Sequence, residues 1–148
     1  MFPRGLTLAV LIGVISGPLL GIFLYEFGVE EQLVYVEGAS LSIVTEKTDF
    51  RLGEPIAIKI VNSGTDKLSF FDTSYGLVIK QLDSIPIYIP ESEQIISNLE
   101  SHDEVDFIWD QSKNNGDIIL EGTYKITVKA NTINEKIIER IITINIFQ

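Results

Sequence analysis

The sequence contains no cysteine and only one histidine, one tryptophan and one methionine among its 148 residues. Without cysteine there are no disulfides, thiolate metal sites, iron–sulfur clusters or thiol nucleophiles, so packing alone must hold the fold. With His102 as the single imidazole, a zinc or copper site would rest on carboxylates, which suit hard cations instead. Basic residues are also scarce: 11 Lys and Arg stand against 21 Asp and Glu, a net charge of -10. That balance argues against a nucleic-acid partner, whose phosphates call for a basic surface, and reads mainly as solubility. The sequence also lacks G-x-S-x-G, a phosphate-cradling glycine loop and the spaced Asp-x-Asp-x-Asp-Gly of a calcium loop.

Between Arg4 and Glu26 the missing feature is charge. That segment reads GLTLAVLIGVISGPLLGIFLY, and about 20 apolar residues in a helix cross the core of a bilayer. Gly13, Gly17, Pro18 and Gly21 weaken a helix in water but are tolerated in one that spans a membrane. Residues 1–27 are therefore expected to be a cytoplasmic stub and a single transmembrane helix, kinked near Pro18. Arg4 before the run and Glu26, Glu30 and Glu31 after it orient the N-terminus to the cytoplasm. Residues 28–40 then form a linker or first strand, and the remainder is extracytoplasmic. The exit GIFLYEFG has no small-residue cleavage pattern, which favours a retained anchor over a cleaved signal. Arg4-Gly5-Leu6-Thr7 also resembles the type III signal of archaeal pilins and archaellins, cut after the glycine, which implies a filament subunit as one alternative.

Beyond the run the pattern alternates. In PIAIKIVNSG, Ile56, Ile58 and Ile60 share one face while Ala57 and Lys59 share the other, the period of a half-buried strand. The same grammar recurs in LSIVTE, KLSFF, GLVIKQL, IPIYI, QIIS, EVDFIWD, TYKITVKA and IIERIITINIF. Turn signals such as Arg51-Leu52-Gly53, Asn62-Ser63-Gly64, Asn114-Asn115-Gly116 and Glu121-Gly122 separate many of them. The expectation is an all-β domain over residues 41–148, an antiparallel sandwich of about seven to nine strands. Alternation places Phe107 with Trp109, and Tyr124 with Ile126 and Val128, on core-facing sides. Tyr124, two residues after Gly122, also fits a tyrosine corner whose hydroxyl ties down a loop.

In order, FRLGEPIAIKIVNSGTDKLSF, GLVIKQLD, VDFIWDQ and LEGTYKITV resemble the BsuPI-like domain, named for an intracellular proteinase inhibitor, over roughly residues 41 to 130. The marks that carry the likeness are Asn62 and Gly64 in the strand-ending turn, Trp109 before Asp110 and Gln111, and the Gly122-Thr123-Tyr124 strand entry. The resemblance implies an immunoglobulin-like sandwich and, through the family name, proteinase inhibition as a second alternative.

The stretch Ile85-Pro86-Ile87-Tyr88-Ile89-Pro90 is the candidate partner-binding segment. A proline-flanked edge strand can accept a partner strand or enter a partner's cleft; the competing reading is an edge strand that the prolines keep from aggregating. Ser101-His102-Asp103 places serine, histidine and aspartate in succession, whereas a triad assembles from separate elements, so His102 reads as a loop residue. Glu91, Glu93, Glu100, Asp103, Glu104 and Asp106 read as solvated acids, with no metal or cofactor expected. The combined expectation is a membrane-anchored, extracytoplasmic interaction module that is not an enzyme and takes a protein partner.

Overall fold

The computed structural model describes residues 33–148; the transmembrane helix expected over residues 1–27 lies outside the described residues. Among the described residues no helix is long and apolar enough to cross a membrane. The described chain is all-β, with ten strands: β1 Leu41–Thr45, β2 Asp49–Arg51, β3 Ile56–Asn62, β4 Leu68–Phe70, β5 Leu77–Gln81, β6 Pro86–Tyr88, β7 Ser97–Leu99, β8 Glu104–Trp109, β9 Gly122–Asn131 and β10 Ile137–Phe147. Residues 33–40, expected as linker or first strand, form no strand.

One sheet is antiparallel, in the order β1-β3-β8. The other is built on the β9–β10 hairpin, which runs in register from Ile137 opposite Asn131 to Ile146 opposite Gly122. β5 pairs with β9 from Gln81 opposite Tyr124 to Leu77 opposite Val128, and β6 lies outside β5. β4 meets β9 at Ser69 and Asn131 and carries β7. β2 lies parallel to the end of β10, with Phe50 opposite Ile146. The second sheet is therefore mixed, which corrects the expectation of a purely antiparallel arrangement. The chain leaves β1 through Glu46–Thr48 and pairs with the other sheet without a hairpin to reverse it, so it arrives beside β10 pointing the same way.

The reason for these strands is burial on one face. Ile56, Ile58 and Ile60 of β3 and Ile126 and Val128 of β9 are fully buried, and both sheets contribute to one apolar cluster that includes Phe50, Phe70, Trp109 and Ile144. Sealing a side chain of that size from water stabilises by about 1.5–3 kcal/mol. Slipping any of these strands by one residue would turn its apolar set outward, so the register is set by the core.

Two buried amide side chains tie the strand ends together. Asn62 closes β3: its Nδ2 donates to the carbonyls of Asp66 (2.8 Å) and Leu99 (3.0 Å), while its Oδ1 accepts from the Gly64 amide (3.0 Å). The neighbouring turn takes up the incoming chain. Val36 N–H donates to Ser63 O, Gly38 O accepts from Thr65 N–H, and the Ser40 and Ser42 hydroxyls each meet that of Ser63 at 2.8 Å. Gly64 permits this approach, because a Cβ there would collide with Gly38 O and lie 2.6 Å from Ser40 N. We call this end of the domain, with the turns 63–67, 100–103 and 132–136, the near pole.

At the opposite end, the far pole, Gln111 follows β8 with a left-handed φ of 62° and is fully buried. Its Nε2 donates to Arg51 O and Glu54 O and its Oε1 accepts from Gly53 N–H, all at 2.8 Å. The turn between β2 and β3 is thus fastened to the end of β8. Gly64→Ala should destabilise by about 3 kcal/mol, the upper range for overpacking, with the loss read from urea unfolding. Gln111→Leu leaves Glu54 O and Gly53 N–H unpaired, while Arg51 O keeps the Glu54 N–H, and should cost about 2–3 kcal/mol by the same measurement; a loss under half that would show that water replaces the amide.

Candidate functional site

The proline-bracketed segment is placed as the outer strand of the second sheet. Ile87 is buried, Pro90 is buried, and the Tyr88 ring lies 6.1 Å from that of Trp109. Burial pushes the Tyr88 phenol above its ordinary value, with the charges of Asp110 and Glu91 adding in the same direction. Ile85 and Ile89 are exposed, as is Pro86. The main chain of this strand is already engaged. Asn114 folds against it, with its backbone N–H donating to Ile87 O and its side chain pairing both the N–H (2.8 Å) and the C=O (2.7 Å) of Ile89. An amide side chain paired in this way imitates one step of a β-ladder. What the segment offers a partner is therefore the side chains of Ile85 and Ile89, not a free strand edge.

Ile85 belongs to a larger feature. The loop from Asp110 to Glu121 folds back on itself through Lys113 N–H to Asp117 O and a bridge between Ser112 and Ile118. Trp109 is buried beneath it and donates its Nε1–H to Ser112 O at 2.8 Å. Hydrogen bonds from the backbone N–H and hydroxyl of Ser112 hold the Asp110 carboxyl below its usual range. Ile119 turns into the core, which leaves Ile118 and Leu120 outside at 71% and 77% exposure. Tyr124 fixes that arrangement: its hydroxyl donates to Leu120 O at 2.6 Å, four residues back, as a tyrosine corner does. Its phenol is also pushed up by burial. Gly122, at φ 149°, lets the chain turn into β9 directly before this corner.

Leu82 in the turn after β5 lines a shallow hollow together with Leu120, and Asp83 and Glu121 stand in the same lining. Ile85 O accepts from Gln81 N–H, which holds that side chain to the same turn. Leu52, whose N–H donates to Phe147 O, adds two further exposed side chains at this end. The far pole thus carries Leu52, Leu82, Ile85, Ile118, Leu120 and Phe147 in exposed positions. Of these six only Ile85 was a candidate from the sequence; Ile118 and Leu120 were not legible, because Ile118, Ile119 and Leu120 stand in succession and only the fold decides which one turns inward.

The remaining candidates serve the near pole. His102 sits in the turn before β8 at φ 68°, its ring edge-on to Tyr35 with centroids 4.4 Å apart. Ser101 Oγ donates to Gly64 O and Asp103 Oδ2 accepts from Glu100 N–H, so serine and aspartate are engaged in holding turns. Glu104 pairs with Lys59 at 2.8 Å and Glu100 with Lys67 at 3.0 Å. Among the described residues no group of three or more His, Cys, Asp or Glu side chains is placed to hold a metal ion. Phe107 packs against the core, and Trp109, Tyr124, Ile126 and Val128 lie within it.

No protein-family model and no curated protein matches the chain. Solved chains similar to it include a mutant β-glucosidase from Listeria innocua in complex with laminaribiose and β-glucosidase from the same organism in complex with gluconolactone. Each has 13% identity and a TM-score of 0.39, covering 74% of this chain and 16% of that one. The complex with glucose aligns with 12% identity and a TM-score of 0.36, over the same shares. The chain spans 16% of the length of those enzymes, and a likeness of this degree carries no argument about activity. The expectation that the chain is not an enzyme is corrected to no statement either way: the solved chains similar to it are glucosidases, which establishes no activity here, and nothing positive supports the exclusion.

Proposed function

We propose that the chain is a membrane-anchored interaction module, with residues 41–148 forming an immunoglobulin-like sandwich on the outer face of a prokaryotic membrane and binding a protein partner there. The observation that carries this reading is the apolar far pole. There Leu82 and Leu120, both exposed, share the lining of one shallow hollow, and Leu52, Ile85, Ile118 and Phe147 are exposed at the same end. Apolar side chains that share one hollow mark interaction surfaces, whereas scattered single residues do not. The Leu52 and Leu120 turns are held by Gln111 and Tyr124, and the Leu82 turn by Gln81 N–H to Ile85 O and Lys125 Nζ to Leu82 O, so the surface is formed before a partner arrives and little ordering cost falls on binding. Asp83 and Glu121 at its margin favour a partner whose apolar patch is edged with basic groups.

The charge bias about residues 5–25 supports the proposed orientation, and the tyrosine corner and the strand order support the sandwich. The resemblance to BsuPI-like domains fits the same architecture.

Replacing Leu82 and Leu120 together by Ser should leave the unfolding midpoint nearly unchanged, since both are more than half exposed, while abolishing the partner recovered with the wild-type chain from native membranes. Equal recovery would remove the far pole as the binding surface. Protease added outside intact spheroplasts should digest residues 41–148; protection there, with digestion only after lysis, would reverse the orientation. Sequencing the mature N-terminus separates a retained anchor, which begins at Met1, from a pilin-type subunit, which begins at Leu6.

A further inference from the structure

A sheet edge that is not paired, covered or guarded is a template for another strand. The edges of this domain differ sharply in that respect. β6 is shut by Pro86, Pro90 and the Asn114 side chain. β2, β4 and β7 have three residues each, β1 has five, and β8 carries Glu104 and Asp106. β10 has eleven residues, and among the described residues only β2 covers it on the side away from β9, over 145–147. Among the described residues the seven from Ile137 to Thr143 pair with β9 alone. β1 comes close to β10, but no main-chain pairing joins the two. None of the seven is buried, none is proline, and four are isoleucine. Alternate residues of such a strand direct their N–H and C=O groups away from the hairpin, into solvent.

We propose that the free edge of β10, residues 137–143, accepts an extended strand from another polypeptide, running antiparallel to it and carrying a carboxylate opposite Arg140. The inference rests on the reading of the chain as an interaction module and assigns it a main-chain docking edge. Two observations choose the occupant. Among the described residues, Glu139 has Lys129 at 3.6 Å, while Arg140 has no carboxylate partner. A second copy of this chain satisfies Arg140 badly. Antiparallel self-pairing about a two-fold axis places one residue opposite its own copy, and the one register that pairs all seven residues sets Arg140 against Arg140. Like charges directly opposite one another destabilise a sheet. Centring on Glu139 or on Ile141 leaves five of the seven in the pairing, and the first of these sets Glu139 against its own copy. Arg140 therefore disfavours the longest pairing of the edge with its own copy and leaves the edge open to a strand with an acid at the matching position. Ile138 and Ile142, on either side of Arg140 in the same row, pack partly against the core and would take aliphatic neighbours.

The full-length protein in detergent micelles provides the test, with two synthetic peptides as probes, TVTETVT and TVTKTVT. In the antiparallel register the central residue of each falls opposite Arg140 and the two valines opposite Ile138 and Ile142. Amide hydrogen exchange over residues 137–143 is the readout. The glutamate peptide should slow exchange at alternate amides of this stretch, and the lysine peptide should bind about tenfold more weakly. Arg140→Glu should reverse that preference, and Arg140→Gln should abolish it, both without loss of thermal stability at this exposed position. Exchange unaffected by either peptide at millimolar concentration would overturn the proposal, as would binding that ignores the charge swap. Concentration-dependent protection of the same amides without peptide would make the occupant a second copy and overturn it too. Should the far-pole variants still lose their partner in any of these cases, the interaction-module reading stands and only the edge is lost.

Discussion

The domain depends on the satisfaction of main-chain groups that its own turns bury. A buried carbonyl or amide without a partner costs about 1–3 kcal/mol, and a two-sheet fold creates such groups wherever a strand ends beneath another segment. Asn62 and Gln111 meet that demand with side-chain amides, which supply donors and an acceptor on one short stem. Asn62 serves the end where the incoming chain, β3 and the turn before β8 converge. Gln111 serves the end where β2, β3 and β8 converge. In a chain without cysteine these two residues do the cross-linking that disulfides do in many small secreted domains.

Everything offered to a partner is a consequence of that fastening. With the far turns held by Gln111 and Tyr124, Leu82 and Leu120 stand in fixed positions over a core that no longer needs them. With Asn114 closing β6, the longest main-chain edge left open among the described residues is that of β10. The two candidate surfaces differ in kind. As proposed, the far pole would recognise by apolar shape, and the β10 edge by hydrogen-bond register and one charge.

What the sequence made legible was local. Strong alternation marked β3 and β9, and IIERIITINIF coincides with β10 from Ile137 to Phe147. Asn62 was visible through the turn it heads, and the Tyr124 corner because its partner is four residues away. Distant pairing was not legible. β2 has three residues, one of them buried, and is a strand because β10 lies beside it nearly one hundred positions later. Gln111 reaches partners 57 to 60 residues back. QIIS reads as a strand, but Ile95 and Ile96 are exposed and the strand lies at Ser97–Leu99, because Ile95 N–H is drawn into a turn by Glu93 O. The segment Ile85–Pro90 was rightly read as an outer strand, while the side chain that closes it lies 25 residues further on.

The fastening of the incoming chain at the near pole also has a mechanical meaning. The segment before β1 is bound at Val36, Gly38 and Ser40, and it continues directly into β1, which lies antiparallel to β3 through five residue pairs. A pull on the N-terminal side that is resisted at the far pole runs along the axis of β1. Its hydrogen bonds to β3 are then loaded together, in shear, and do not open one after another as in a zipper. The same strand pulled sideways would peel. The domain is therefore built to stay folded under tension applied from its N-terminal end along its length.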